Sequence, residues 1–274
     1  MRLLSILIVL FFALNTSAQT DVLVAKFPVD SNYFPSFDGT KIYYEVRGEG
    51  KPVLLIHGFI VNSNSWKGTA LYSDLLNAGY KVIILDMRGN GRSDKPHDSL
   101  AYDNDAEAKD IMLLMDKLNL KAYASVGYSR GSIINARLLV LDKRVKTAVM
   151  GGMGLDFTNP EWPRRKMFYR AMMGDSIPEL KAAVDYVKQQ GLDRLALAYL
   201  QRSQPSTSIE ILGKVKQPVL VICGDMDSDN GSAGELAKIL PNSTYTTVPG
   251  DHNHAAATKE FSDAVIAFLS SNYK

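Results

Sequence analysis

From Pro52 onward, short unbroken apolar runs alternate with stretches in which apolar residues recur every three or four positions. Val53 to Ile56, Val82 to Leu85, Ala122 to Val126, Thr147 to Met150 and Pro218 to Cys223 are runs of the first kind. Such runs suit strands covered on both faces. Between them, Asn64 to Ala78 (stopped by Gly79), Asp103 to Leu118 and Ser132 to Leu141 read as helices. In the second of these, Ala108, Ile111, Met112, Met115 and Leu118 fall on one helical face. A helix near Ala233 to Ile239, a strand near Thr244 to Val248 and a last helix near Ala256 to Leu269 close the pattern. Strict alternation implies right-handed crossovers, hence a mostly parallel α/β sheet with helices on both faces. In such sheets the chemistry sits beyond the carboxyl ends of the strands.

Two stretches depart from the alternation. Ser36 to Val46 places Asp38-Gly39 before an aromatic and β-branched run, which predicts an antiparallel hairpin at the sheet edge. Between about Leu155 and Pro218 the strand signal vanishes, and helical periodicity runs through Ile177 to Gln190 and Leu192 to Gln201. This region, about residues 155–217, is expected to be a helical cap inserted over the strand ends. An ordinary pair of packing helices is the alternative. Residues 19–274 then form a single domain.

Composition narrows the class. Of the 274 residues, 46% are hydrophobic and the net charge is +2, so a sizeable core is available and nothing points to nucleic acid as a partner. Arg2, the apolar run Leu3 to Leu14 and Asn15-Thr16-Ser17-Ala18 have the form of a secretory signal peptide. Cleavage after Ala18 and a secreted or periplasmic location are expected, with no stable membrane insertion afterwards; an uncut anchor is the alternative. Cys223 is the only cysteine, so no internal disulfide can form. It sits in an apolar run and reads as a small buried hydrophobe.

The candidate chemistry centres on Gly127-Tyr128-Ser129-Arg130-Gly131, set between an apolar run and a helical one. A serine at a strand-to-helix turn is pushed out above the sheet, and the backbone N–H of Arg130 then stands at a helix N-terminus, ready to stabilise an oxyanion. His57-Gly58-Phe59 ends an earlier strand, so the Phe59 N–H is the second expected donor. A serine nucleophile needs an imidazole base, and the base needs an orienting carboxylate. Four histidines are present, at 57, 97, 252 and 254. His252 follows the last strand most closely and is preferred as base over His254. For the acid, Asp227 is preferred, with Asp229 and Asp156 as alternatives and Asp225 expected to tie down its loop. The spacing Asp225-x-Asp227-x-Asp229 also opens a calcium-binding pattern, but Asn230 and Leu236 stand where that pattern needs Gly and Glu.

These motifs in this order resemble the α/β-hydrolase superfamily. The resemblance rests on His57-Gly58-Phe59, Trp66, the segment Asp86 to Pro96, Gly127-x-Ser129-x-Gly131, Gly224-x-x-Asp227 and Pro249-Gly250-x-His252. Two departures stand out: Arg130 where many members carry Gly or Met, and Asp251 before the base where Gly is usual. The resemblance implies a Ser129–His252–Asp227 triad and an oxyanion hole from the amides of Phe59 and Arg130. It implies a serine hydrolase acting on a carboxylic ester or similar acyl substrate, without metal or organic cofactor. Iminopeptidase, lactonase, carbon–carbon hydrolase and perhydrolase chemistries remain within the family's range, as does a non-catalytic, receptor-like binder.

Overall fold

A computed structural model describes residues 28–274. The signal peptide expected at residues 1–18 lies outside the described residues. Among the described residues, no helix is long and apolar enough to cross a membrane.

Eight strands form one sheet: β1 (Asp30–Pro35), β2 (Lys41–Arg47), β3 (Pro52–Ile56), β4 (Lys81–Asp86), β5 (Tyr123–Tyr128), β6 (Val145–Gly151), β7 (Val219–Gly224) and β8 (Ser243–Val248). Their spatial order is β1-β2-β4-β3-β5-β6-β7-β8. The β1–β2 and β2–β4 pairings are antiparallel, and every other pairing is parallel. The β1–β2 turn runs through Asp38 and Gly39, where Gly39 adopts φ +84°. The edge hairpin and the mostly parallel sheet are thus present as the sequence indicates.

Alternate residues of the central strands feed two separate cores, because successive strand side chains point to opposite faces. Leu54 and Ile56 join Ile83 and Leu85 on one face, under α3 (Ala106–Lys117), α4 (Arg130–Leu141) and α9 (Ala233–Ile239). Val53 and Leu55 join Val82 and Ile84 on the other, under α2 (Ala70–Asn77) and α10 (Lys259–Asn272). Each such fully buried side chain contributes roughly 1.5–3 kcal/mol. This two-sided burial explains why the runs lack polar alternation.

The expected helix from Asn64 to Ala78 is two helices. α1 (Asn64–Lys67) ends at Gly68, and Thr69 caps α2 by accepting a hydrogen bond from the Tyr72 N–H. Between β6 and β7 the chain is helical: α5 (Pro163–Met173), α6 (Lys181–Gln189), α7 (Arg194–Arg202) and the short α8 (Ile209–Leu212). Met172, Val187, Leu197 and Leu200 form a third apolar cluster, with Phe59 and Ile60 packed against it. That cluster joins the β6–β7 helices to the loop after β3.

The elbow between β5 and α4 is the tightest crossing. A methyl added to Gly131 would lie 2.2 Å from the Ile56 carbonyl oxygen, and one added to Gly127 would lie 2.4 Å from the Gly131 oxygen. Glycine is what lets α4 start against the end of β3. Gly131→Ala is expected to lower the unfolding free energy by about 1–3 kcal/mol, read as a reduced urea midpoint. Gly68→Ala is the control: Gly68 has φ −85° and no atom within 4 Å of the added methyl. It should stay within about 0.5 kcal/mol of wild type. Equal midpoints for the two variants would contradict this packing.

Candidate active site

Ser129 stands between β5 and α4 with φ 54° and ψ −125°. Positive φ is rare for a residue with a Cβ and costs on the order of 1–3 kcal/mol. Several contacts hold it there. The Ser129 N–H donates to Gly151 O at 2.8 Å, and the Ser132 N–H donates to Ser129 O at 2.9 Å. Ser132 Oγ donates to Gly151 O at 2.7 Å.

The loops after β7 and β8 bring two more side chains to this point. His252 Nε2 lies 2.9 Å from Ser129 Oγ, and His252 Nδ1 lies 2.9 Å from Asp227 Oδ2. Asp227 accepts the Nδ1 proton, which leaves Nε2 free to accept from the serine. Burial works to raise the Asp227 pKa, but the hydrogen bond and charge of His252 outweigh it and hold the carboxyl below its usual value. The carboxylate therefore stays ionised beside the imidazole.

The other candidates lie elsewhere. Asp225 Oδ1 accepts from the Gly250 N–H at 3.0 Å and so ties the two loops together. Asp229 pairs with Arg164 Nη2 at 3.0 Å, and Asp156 is exposed beside Gly231. Asp225, Asp227 and Asp229 thus face three different partners rather than one common cation. His254 is exposed and pairs with Asp251 at 2.6 Å; His97 pairs with Asp193 at 2.8 Å. Cys223 is buried, with its Sγ 3.8 Å from the Tyr245 hydroxyl.

The loop after β3 runs past the elbow: a methyl on Gly58 would come within 3.6 Å of Ser129 Cβ. His57 is fully buried, and burial pulls its pKa below the ordinary value. Its neutral ring donates from Nδ1 to Gly58 O at 2.7 Å and accepts at Nε2 from the Met87 N–H at 3.0 Å. Asn90 Nδ2 donates to Phe59 O at 2.7 Å and to Val61 O at 3.1 Å. Asp86 accepts from the N–H groups of Ser63 and Arg92. The polar segment after β4 therefore braces the loop that presents the Phe59 amide. Among the described residues, neither the Phe59 nor the Arg130 N–H donates to a protein acceptor. Both remain available to an oxyanion.

Four further positions escape motif reading. Tyr128 donates its hydroxyl to His252 O at 2.8 Å, and burial pushes its pKa up, so it stays a donor. Asn230 Nδ2 donates to Gly152 O at 3.0 Å and stands 3.4 Å from His252 Nδ1. The ring nitrogen directs its proton to Asp227, so this second approach is a packing contact. Glu107 binds Arg130 through two oxygens at 2.5 Å each, while Arg130 Nη2 also donates to Leu200 O at 3.0 Å. The cation beside Ser129 is therefore neutralised, and its side chain ties the elbow to α3 and α7. Asn90 is the fourth. These polar links join distant loops and leave no periodic trace in the sequence.

A cavity of about 650 Å³ opens over Ser129 and His252. Phe59, Trp66, Met153, Trp162 and Phe168 supply apolar wall, and Phe59 meets Phe168 edge-on at 5.5 Å. That size suits a small organic molecule. Asp227→Asn should cut any turnover that depends on Ser129 by about a thousandfold or more. Asp229→Asn, which removes an exposed ion pair, should leave it within a few-fold. Steady-state rates of the two variants check this, and the reverse order would assign the wrong acid.

A family model described as alpha/beta hydrolase fold matches residues 51–177. A Synechocystis protein provisionally named a non-heme chloroperoxidase is 32% identical over 243 residues, covering 76% of this chain and 87% of its own length. A solved bromoperoxidase from Bacillus anthracis superposes with a TM-score of 0.71 at 25% identity, covering 88% of this chain and 100% of its own. An esterase from Rhodococcus sp. superposes with a TM-score of 0.65 at 26% identity, covering 88% of this chain and 99% of its own. With this relative, this sheet order and this elbow, the chain belongs to the alpha/beta hydrolase family.

Proposed function

We propose that the protein is a serine hydrolase that cleaves a carboxylic ester or related acyl substrate through an acyl-enzyme. The observation that carries this reading is the pair of 2.9 Å contacts linking Ser129 Oγ, the His252 ring and Asp227 Oδ2. Ser129 Oγ attacks the acyl carbon as His252 Nε2 takes its proton. The carbonyl oxygen becomes an oxyanion and is held by the N–H groups of Phe59 and Arg130. Collapse expels the alcohol, which receives the proton from Nε2. Water then attacks the acyl-enzyme, with the same nitrogen as base, and releases the acid and Ser129. Asp227 keeps the imidazole in the required tautomer throughout.

The names of the relatives support a second reading. Hydrogen peroxide entering in place of water would attack the acyl-enzyme and release a peracid, which oxidises halide in solution. This uses the same serine and differs only in the second nucleophile. The export pattern of residues 2–18 supports work outside the cytoplasm, with an intact mass beginning at Gln19 as its check.

Wild-type protein should hydrolyse a short-chain p-nitrophenyl ester, and Ser129→Ala should lose several orders of magnitude of kcat. Unchanged turnover in that variant would remove the nucleophile. Halide oxidation that needs both an acetate ester and peroxide, and that also disappears in Ser129→Ala, would support the second reading.

A further inference from the structure

The cavity above Ser129 has one wall whose polar groups the hydrolysis does not use. Arg165 on α5 lines it, together with Gln201 on α7 and Gln204 just beyond. Gln201 and Gln204 are each only 5% exposed. Among the described residues, neither carboxamide side chain has a hydrogen-bond partner. Neither is among the side-chain polar atoms sealed from solvent without a partner, so both carboxamides open onto the cavity, each with two donors and an acceptor that the protein leaves unused. Two such side chains on the same cavity wall can both bond a ligand that fills the cavity.

Arg165 gives that place a charge. It is half-buried, and its guanidinium bonds only backbone oxygens: Nη2 to Pro160 O at 2.6 Å and Nη1 to Gln204 O at 3.2 Å. Burial pulls its pKa down, opposed only by the more distant charge of Glu161. The other arginines of this cavity are neutralised: Arg164 by Asp229 at 3.0 Å, and Arg130 by Glu107 at 2.5 Å. Arg165 has no such carboxylate among the described residues. Glu179 also lines the cavity, but it is exposed.

We propose that Arg165, Gln201 and Gln204 form a subsite for a carboxylate carried by the substrate, making the preferred substrate an ester that ends in an acid group. A guanidinium and amide N–H groups together match the two oxygens of a carboxylate. The proposal rests on the hydrolase reading for turnover but not for binding, so the test has two arms.

In the first arm, Ser129→Ala protein is titrated calorimetrically with monomethyl succinate, glutarate and adipate and with the matching dimethyl esters. At least one acid ester should bind about tenfold more tightly than its neutral partner, as expected for a charge-assisted bond. That preference should vanish with Arg165→Gln, persist in part with Arg165→Lys, and shrink with Gln204→Leu. Being a ratio, it is insensitive to partial misfolding. In the second arm, wild-type protein is given the corresponding p-nitrophenyl half-esters and their neutral counterparts, and the preference should appear in KM. Equal binding of acid and neutral ligands, or a preference that survives Arg165→Gln, overturns the subsite. Selective binding of the acid ligands without turnover of any ester upholds the subsite and counts against the hydrolase reading instead.

Discussion

The strained backbone at Ser129 is the constraint around which the molecule is arranged. A non-glycine residue at φ 54° stays there only while its neighbours leave no alternative. Gly127 and Gly131 let α4 begin against the end of β3, and Gly151 accepts the Ser129 amide. Central placement of β5 gives the elbow covered strands on both sides. The serine hydroxyl is therefore aimed by the sheet rather than by a mobile loop.

The remaining parts are brought to that fixed point by loops that brace one another. Asp225 joins the loop after β7 to the loop after β8, and Tyr128 anchors the backbone of His252. His57 and Asn90 fasten the Phe59 loop to the segment after β4. Arg130 and Glu107 link the elbow to α3 and, through Leu200 O, to α7. Breaking a buried pair of this kind leaves an uncompensated charge, so the Arg130 departure from the common motif is tied to Glu107. The β6–β7 helices then serve two ends: they shield Ser129, and they supply the polar wall of the cavity.

Strand positions were legible because both faces of the sheet are covered, which turns Val53 to Ile56 and Val82 to Leu85 into unbroken apolar runs. Ser129, His252 and Asp227 were legible because each follows a strand at one sheet edge. Helix α5 was not: Pro163 to Met173 buries only Ala171 and Met172, so it has no apolar stripe to betray it. Pro163 at its first position was the available signal. The break between α1 and α2 likewise lay in Gly68-Thr69, where a cap overrides continuous helical spacing. Contacts made by Asn90, Glu107, Tyr128 and Asn230 depend on tertiary approach and could not be read from spacing.

The most direct measurement is covalent labelling with a fluorophosphonate, followed by intact-mass and peptide analysis. Assembly of an activated serine predicts one adduct per chain, on Ser129, with a labelling rate that falls about a hundredfold or more in His252→Ala. An adduct at another residue, or an equal rate without the imidazole, would contradict it.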